Sequence, residues 1–265
     1  MIKRTVLVAV LLTSCLSLAE KKTKAGPLPS ADELAAITAR GRILAEYDVA
    51  AWHASDAVVE LKPDKTVSPF YIARQTANGW EVAFGRLSES RDRFLIVYQA
   101  FQGATPVEFT VKKPDPPVED HGFYLAAAKA IETASRDFGK PSRAYNTYVL
   151  PTESGQLYVY LLPAQTVNGI YPLGGDVRYT ITPDGGAIVE KRQMHKTILE
   201  FDMNDASKRM TKVESGIHTH VLSSLPEDSD VFYVLSRKPL IPEYIGTMDK
   251  KIFVVQVDGT ILIGK

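Results

Sequence analysis

The chain has 265 residues, 31 Lys+Arg against 31 Asp+Glu, 45% hydrophobic residues and a single cysteine. That length suffices to bury one or two sizeable cores. Zero formal charge argues against sequence-independent nucleic-acid binding, and one cysteine excludes both a disulfide framework and a cysteine-rich zinc site.

The chain opens with Lys3 and Arg4 and continues in the apolar run Val6 to Leu12, the pattern of a secretory signal peptide. The uncharged stretch Thr5 to Ala19 is short for a membrane span, which needs roughly 20 apolar residues. Two processing sites compete. Ser17-Leu18-Ala19 places small residues for cleavage after position 19, and Leu12-Thr13-Ser14-Cys15 resembles a bacterial lipobox, with Cys15 as the lipidated residue. Either cut removes two basic residues and no acidic one, leaving a slightly acidic mature chain in the periplasm, outside the cell or on a lipid anchor. Any membrane contact would run through that anchor.

Residues 20–29 read as a flexible leader. Ser30 and Glu33 form a capping-box pattern ahead of Leu34, Ile37, Leu44 and Tyr47 at helical spacing, with Gly41 a point where the helix could bend or split. Strands follow at Phe70 to Gln75 and Trp80 to Phe84, flanking an Asn78-Gly79 hairpin signal, then at Phe94 to Phe101 and Val107 to Val111. Trp80, Phe84 and Phe101 could supply a binding surface or plain core. Lys112 to Asp120, with three prolines, is the linker candidate, dividing an N-terminal unit (30–112) from a second (118–265).

Beyond it the pattern predicts a helix from Gly122 to Phe138, stopped by Gly139-Lys140-Pro141, and strands at Tyr145 to Leu150, Leu157 to Leu162, Val177 to Ile181 and a broken Ala187 to Phe201. The end reads as a strand (Ile217 to Leu222), a helix (Asp230 to Arg237), a strand (Pro242 to Thr247) and a hairpin across Asp258-Gly259. The fold class is α+β, mainly antiparallel sheet with a few helices. Gly-x-Ser-x-Gly, His-Glu-x-x-His, Gly-x-Gly-x-x-Gly and phosphate-loop motifs do not occur.

The chemistry concentrates in His218-Thr219-His220. On a strand, positions i and i+2 share a face about 6.6 Å apart, so two imidazoles can converge on one cation. Asp230 follows at a helix start. Three ligands would leave a fourth position for water, as in a catalytic zinc site. The competing reading puts both histidines on a solvated strand face. His195 is the other conceivable ligand but, ringed by Lys191, Arg192 and Lys196, reads as solvated; His53 reads as a helix-surface residue and His121 as a helix-terminal one.

This C-terminal stretch resembles the JAMM (MPN or Mov34-type) metalloprotease core, on His218, Thr219, His220 and Asp230. The resemblance implies a JAMM-like C-terminal half with His218, His220 and Asp230 as zinc ligands. It also implies a Glu on an early strand as general base, and hydrolysis of a peptide or isopeptide bond in an unknown peptide or protein ligand. The chain departs from the family pattern at four points. Nine residues rather than ten separate His220 from Asp230, Glu227 stands in place of a Ser, Val221 stands in place of a Pro, and Tyr145 to Leu150 carries no carboxylate. Glu153, Glu190 and Glu200 are the nominal substitutes. The same fold without turnover, as an envelope binding or structural protein, is the alternative.

Overall fold

The computed structural model describes residues 27–62, 68–204 and 213–264. The export segment, with its cleavage sites and Cys15, lies outside these residues. The observed class is the expected one: three helices and mainly antiparallel strands among the described residues. None of these helices is long and apolar enough to cross a membrane.

Helix α1 (Ala31–Val59) is the spine of the molecule. Ser30 accepts the Glu33 amide through its hydroxyl, and the Glu33 carboxylate reaches back to the Ser30 amide, so the capping box forms as the sequence predicts. The helix does not split at Gly41 but runs on without a break. The glycine instead permits close approach: a Cβ there would lie 2.6 Å from the Asp228 carbonyl oxygen and closer still to the Val231 side chain. The helix therefore serves two cores. Its first half gives Leu34 and Ile37 to a C-terminal cluster with Val231, Val234, Ile245 and Phe253. Its second half gives Leu44, Tyr47, Ala50 and Ala54 to the first sheet.

That sheet comprises β1 (Phe70–Thr76), β2 (Gly79–Leu87), β3 (Phe94–Gln102), β4 (Phe109–Lys112) and β5 (Val118–Asp120), in the order β1-β2-β3-β4 with β5 also paired to β3. Thr76 pairs with Gly79, so the hairpin loop is Ala77-Asn78, one residue earlier than its signal. Trp80 and Phe84 are buried core and Phe101 is half-buried. The proline-rich stretch expected to act as a linker ends in β5. Packing continues across it: Ile72, Ala83, Phe94 and Ile96 share one cluster with α2 (Phe123–Phe138) and with Val149, Val159 and Tyr179.

The second sheet, in the order β10-β9-β7-β6, is built from β6 (Tyr145–Pro151), β7 (Leu157–Pro163), β9 (Val177–Ile181) and β10 (Ile188–Gln193). A strand the sequence reading missed, β8 (Ile170–Gly174), pairs with β11 (Ile198–Asp202) as a two-stranded ribbon. The expected break in Ala187 to Phe201 falls between β10 and β11. The last sheet runs β12 (Gly216–His220), β13 (Glu243–Thr247), β14 (Ile252–Val255), β15 (Ile261–Ile263). Its β12–β13 pair is parallel, the others antiparallel. A parallel pair needs a crossover, and α3 (Asp228–Ser236) provides it.

Gly41→Ala tests the close approach of α1 to α3. Helix propensity alone favours Ala by about 1 kcal/mol, but overpacking costs roughly 1–3 kcal/mol. A net loss of stability is expected in urea unfolding; an equal or higher midpoint would show that the helices do not meet at residue 41.

Candidate metal centre

Four side chains from three segments converge. His218 and His220 stand two residues apart on β12, Asp230 lies in the first turn of α3, and His195 sits in the connection between β10 and β11. All four are buried, at 6%, 2%, 0% and 7% exposure respectively. Their ligand atoms all lie within 4.8 Å of one another. The solvated-face reading of β12 is thereby excluded, because His218 and His220 occupy its inward positions while Ile217 and Thr219 face out. The reading of His195 as solvated is also corrected. Of its cationic neighbours, Lys191 is drawn off to Asp137 and Arg192 to Glu227, and His195 itself is held inward by Asp176.

The hydrogen bonds define which atoms face the centre. His195 donates from Nδ1 to Asp176 at 2.8 Å, His218 from Nδ1 to Glu243 at 2.9 Å, and His220 from Nδ1 to the Leu225 carbonyl at 2.8 Å. Each ring thus turns Nε2 inward. His220 Nε2 lies 2.8 Å from His195 Nε2 and 3.1 Å from His218 Nε2. Asp230 Oδ1 is 3.1 Å from both His195 Nε2 and His218 Nε2, and Oδ2 is 3.2 Å from His220 Nε2. With every Nδ1 proton committed to an acceptor, three Nε2 lone pairs and a carboxylate confront each other out of water. That is repulsive unless something cationic lies between them, either protons or a metal ion.

The donor set fits a metal. Four ligands about 2.0–2.1 Å from a tetrahedral ion stand about 3.3 Å apart, close to the separations above. Imidazole with carboxylate suits borderline divalent ions such as zinc. The buried His195/His218/His220/Asp230 group could therefore hold a metal ion. Without one, protons take its place. Burial opposes charge on His195, but Asp230 and Asp176 outweigh it and push its pKa up to about 11. For His218 burial is likewise outweighed, by Asp230 and Glu243, and its pKa rises to about 9. Burial alone would raise the Asp230 pKa, yet the His220 and His195 rings hold it well below the usual carboxylate range.

The backbone explains why these residues meet. Asp230 caps α3: its Oδ2 accepts the Glu227 amide at 2.6 Å, so the side chain is fixed at the helix start with Oδ1 free to face the histidines. The Gly174-Gly175 turn closes against the His195 loop. Gly174 has φ +88° and a Cβ there would press on His195 Cβ at 3.1 Å. Behind His218, Glu243 is itself held by Arg237 at 2.7 Å. Arg237 is fully buried, bonded through Nη2 to the Ile241 carbonyl and stacked over Tyr233.

Sequence reasoning brought together His218, His220 and Asp230, set His195 aside as solvated, and missed Asp176, Glu243 and Arg237. The signal for His195 was the break it makes in an otherwise continuous strand pattern. The proposed base substitutes lie elsewhere. Glu153 is on the β6–β7 turn, Glu190 is within reach of Thr180, and Glu200 pairs with Arg143. Glu227 is tied up by Arg192 at 2.6 and 3.0 Å. His53 lies on α1 against the exposed Trp52, and His121 is exposed beside the start of α2. Comparison with protein-family models, with characterised proteins and with solved structures finds no match for the chain.

Two predictions follow from this geometry. A histidine whose folded-state pKa is raised stabilises the fold fully below its unfolded value of about 6.5. That contribution is lost as pH climbs through about 9 for His218 and about 11 for His195. Chelator-treated protein should therefore show a urea midpoint that falls from pH 7 to pH 10; a flat profile would contradict the protonated cluster. Arg237→Met should cost about 3–5 kcal/mol by stranding the buried Glu243 carboxylate, whereas Arg237→Met combined with Glu243→Gln should recover part of that loss. Equal stability of the single variant and the native chain would remove Arg237 from the support of His218.

Proposed function

We propose that the protein is an exported zinc-binding protein in which His195, His218, His220 and Asp230 hold one zinc ion, and that it works by binding rather than by turnover. The observation that carries this reading is the fourth protein donor. A catalytic zinc keeps one position for water, whereas His195 brings the ligand set to four, the complement of a closed structural site. The carboxylates nearest the rings are already occupied, Asp176 on His195 and Glu243 on His218 and Arg237. When bound, zinc would supply a cross-link joining α3, β12 and the β10–β11 connection. Export rests on the leader at 1–19, with Cys15 as lipid anchor in the alternative processing.

A second reading, a JAMM-like amide hydrolase, is favoured by one specific observation. A cavity of about 420 Å³ adjoins the cluster, bordered by His195, Lys196, Thr197, His218 and Thr219. In that reading His218, His220 and Asp230 alone are ligands. His195, with Nδ1 donating to Asp176, would accept a proton at Nε2 in the role of the general-base Glu that the resemblance implies.

Metal analysis of the purified mature chain by plasma mass spectrometry tests both. About one zinc per chain is expected, lost in His218→Ala and His220→Ala. His195→Ala discriminates between the readings. Loss of zinc together with a lowered melting temperature supports the closed site. Retention of zinc, with cleavage of a peptide or isopeptide substrate by the native chain only, supports the hydrolase. A chain purified without stoichiometric metal, and unable to take up zinc on titration, sinks both.

A further inference from the structure

A cleft of about 780 Å³ opens between the first half of α1, the β1–β2 hairpin and the β6–β7 hairpin, away from the histidine cluster. Its volume is in the range of small-molecule sites, roughly 300–1,000 Å³. The cleft exists because the helix changes character along one face. Toward its C-terminal half, Tyr47 fills the space against Trp80 and Tyr148, with ring centroids 5.8 and 5.3 Å apart. One, two and three turns earlier the same face offers Ile43, Ala39 and Ala36, and β1 contributes Ala73 opposite. Ala36 and Ala39 leave open space there, and Trp80 and Leu150, otherwise packed in the core, form part of its apolar lining.

The charged side chains of the lining are Arg40, Arg74 and Glu153 on the β6–β7 turn, and each arginine also meets one carboxylate beyond the lining, Asp228 and Glu81 respectively. Arg40 commits only Nε, to Asp228 at 2.9 Å, and its two terminal amino groups have no partner among the described residues. Arg74 reaches Glu81 through one terminal nitrogen at 3.1 Å and lies over the Tyr124 ring, yet its Nε is buried and unpaired. A guanidinium with free N–H donors pairs best with a carboxylate or phosphate. A neutral apolar ligand would leave these donors unmatched, and a small polar anion would leave the Trp80 wall uncovered.

We propose that this cleft binds a single-chain amphiphile, its apolar body against Trp80, Ile43 and Leu150 and its anionic head on Arg40 and Arg74. The proposal is independent of the metal centre, so either can fail without the other.

Calorimetric titration of the full mature chain, delipidated and below micelle-forming concentrations, tests it with dodecanoate, dodecyl phosphate and dodecanol as probes. One site per chain is expected for at least one anion, with dodecanol about tenfold weaker or worse, the value of one charge-assisted hydrogen bond. The tighter of the two anions identifies the head group as carboxylate or phosphate. Ala39→Phe, at an exposed helix position, should fill the cleft and abolish binding with circular dichroism unchanged. Arg40→Gln should weaken the anions about tenfold and leave dodecanol unaffected. Because Trp80 lines the cleft, its emission should shift on binding in a Trp52→Phe background. Failure of both anions to bind, anion binding unaltered in both Ala39→Phe and Arg40→Gln, or dodecanol as tight as the anions would overturn the proposal.

Discussion

The buried convergence of three imidazoles on Asp230 is the constraint on which the C-terminal half of this protein depends. Each ring gives its Nδ1 proton to a fixed acceptor, so each must face the common point with Nε2. Such an arrangement has no stable neutral form, because lone pairs and a carboxylate about 3 Å apart in a dry interior need a cation between them. The acceptors are therefore as much part of the centre as the ligands. Asp176 comes from the turn between β8 and β9, Glu243 from the start of β13 and the Leu225 carbonyl from the loop before α3. Orienting three rings thus recruits every segment around them, and loosening one acceptor would free its ring to turn its other nitrogen inward.

A second polar hub ties that centre to the rest of the fold. Asp228, fully buried at the first residue of α3, accepts from Arg40 on α1, from Arg178 on β9 and from the Tyr160 hydroxyl on β7, at 2.6 to 2.9 Å. Asp228 stands two residues before Asp230, so the same helix turn faces the histidines on one side and α1 with the second sheet on the other. Burial pushes the Tyr160 hydroxyl well above its usual range, so it stays protonated and donates to Asp228. A shift of α3 large enough to disturb the ligand geometry would break three hydrogen bonds at the buried Asp228. The helix start is consequently rigid, and Gly41 lets α1 press directly against it.

The parts of this arrangement legible in the sequence were those written in local pattern. The capping box of α1, the alternation of β12, the i, i+2 histidines and the acidic start of α3 each follow from residues a few positions apart. They were enough for the fold class and for three of the four converging residues. What was not legible depends on distant segments. His195 and His220 are 25 residues apart, as are His218 and Glu243, and no periodicity relates them. The basic neighbours of His195 argued for exposure because a sequence cannot show that Asp137 and Glu227 take those charges away. Asp230, expected to open its helix, lies two residues inside it, because Glu227 and Asp230 share the capping interactions that start α3. Gly41 was read by propensity as a weak point in a helix, whereas its role is to allow contact with a partner that propensity cannot reveal.

The balance of apolar and polar burial shows why a cation matters most to the last sheet. The two larger clusters bury seventeen or more residues each, with helices and strands from both halves of the chain. The cluster beneath β12 to β15 buries only eight, two of them borrowed from α1. Beside it lies a compact block of buried charge: His218, Asp230, Arg237 and Glu243. Buried ion pairs of this kind contribute little net stability, since desolvation offsets their attraction, but breaking one strands its partner. A sheet with so small an apolar core and so many interior charges gains its rigidity only when every charge is matched. Three of the four histidine-cluster residues lie on β12 and α3, the elements joined by the parallel crossover. A cation at their centre would pin that crossover to the β10–β11 connection, where the apolar cluster alone holds least.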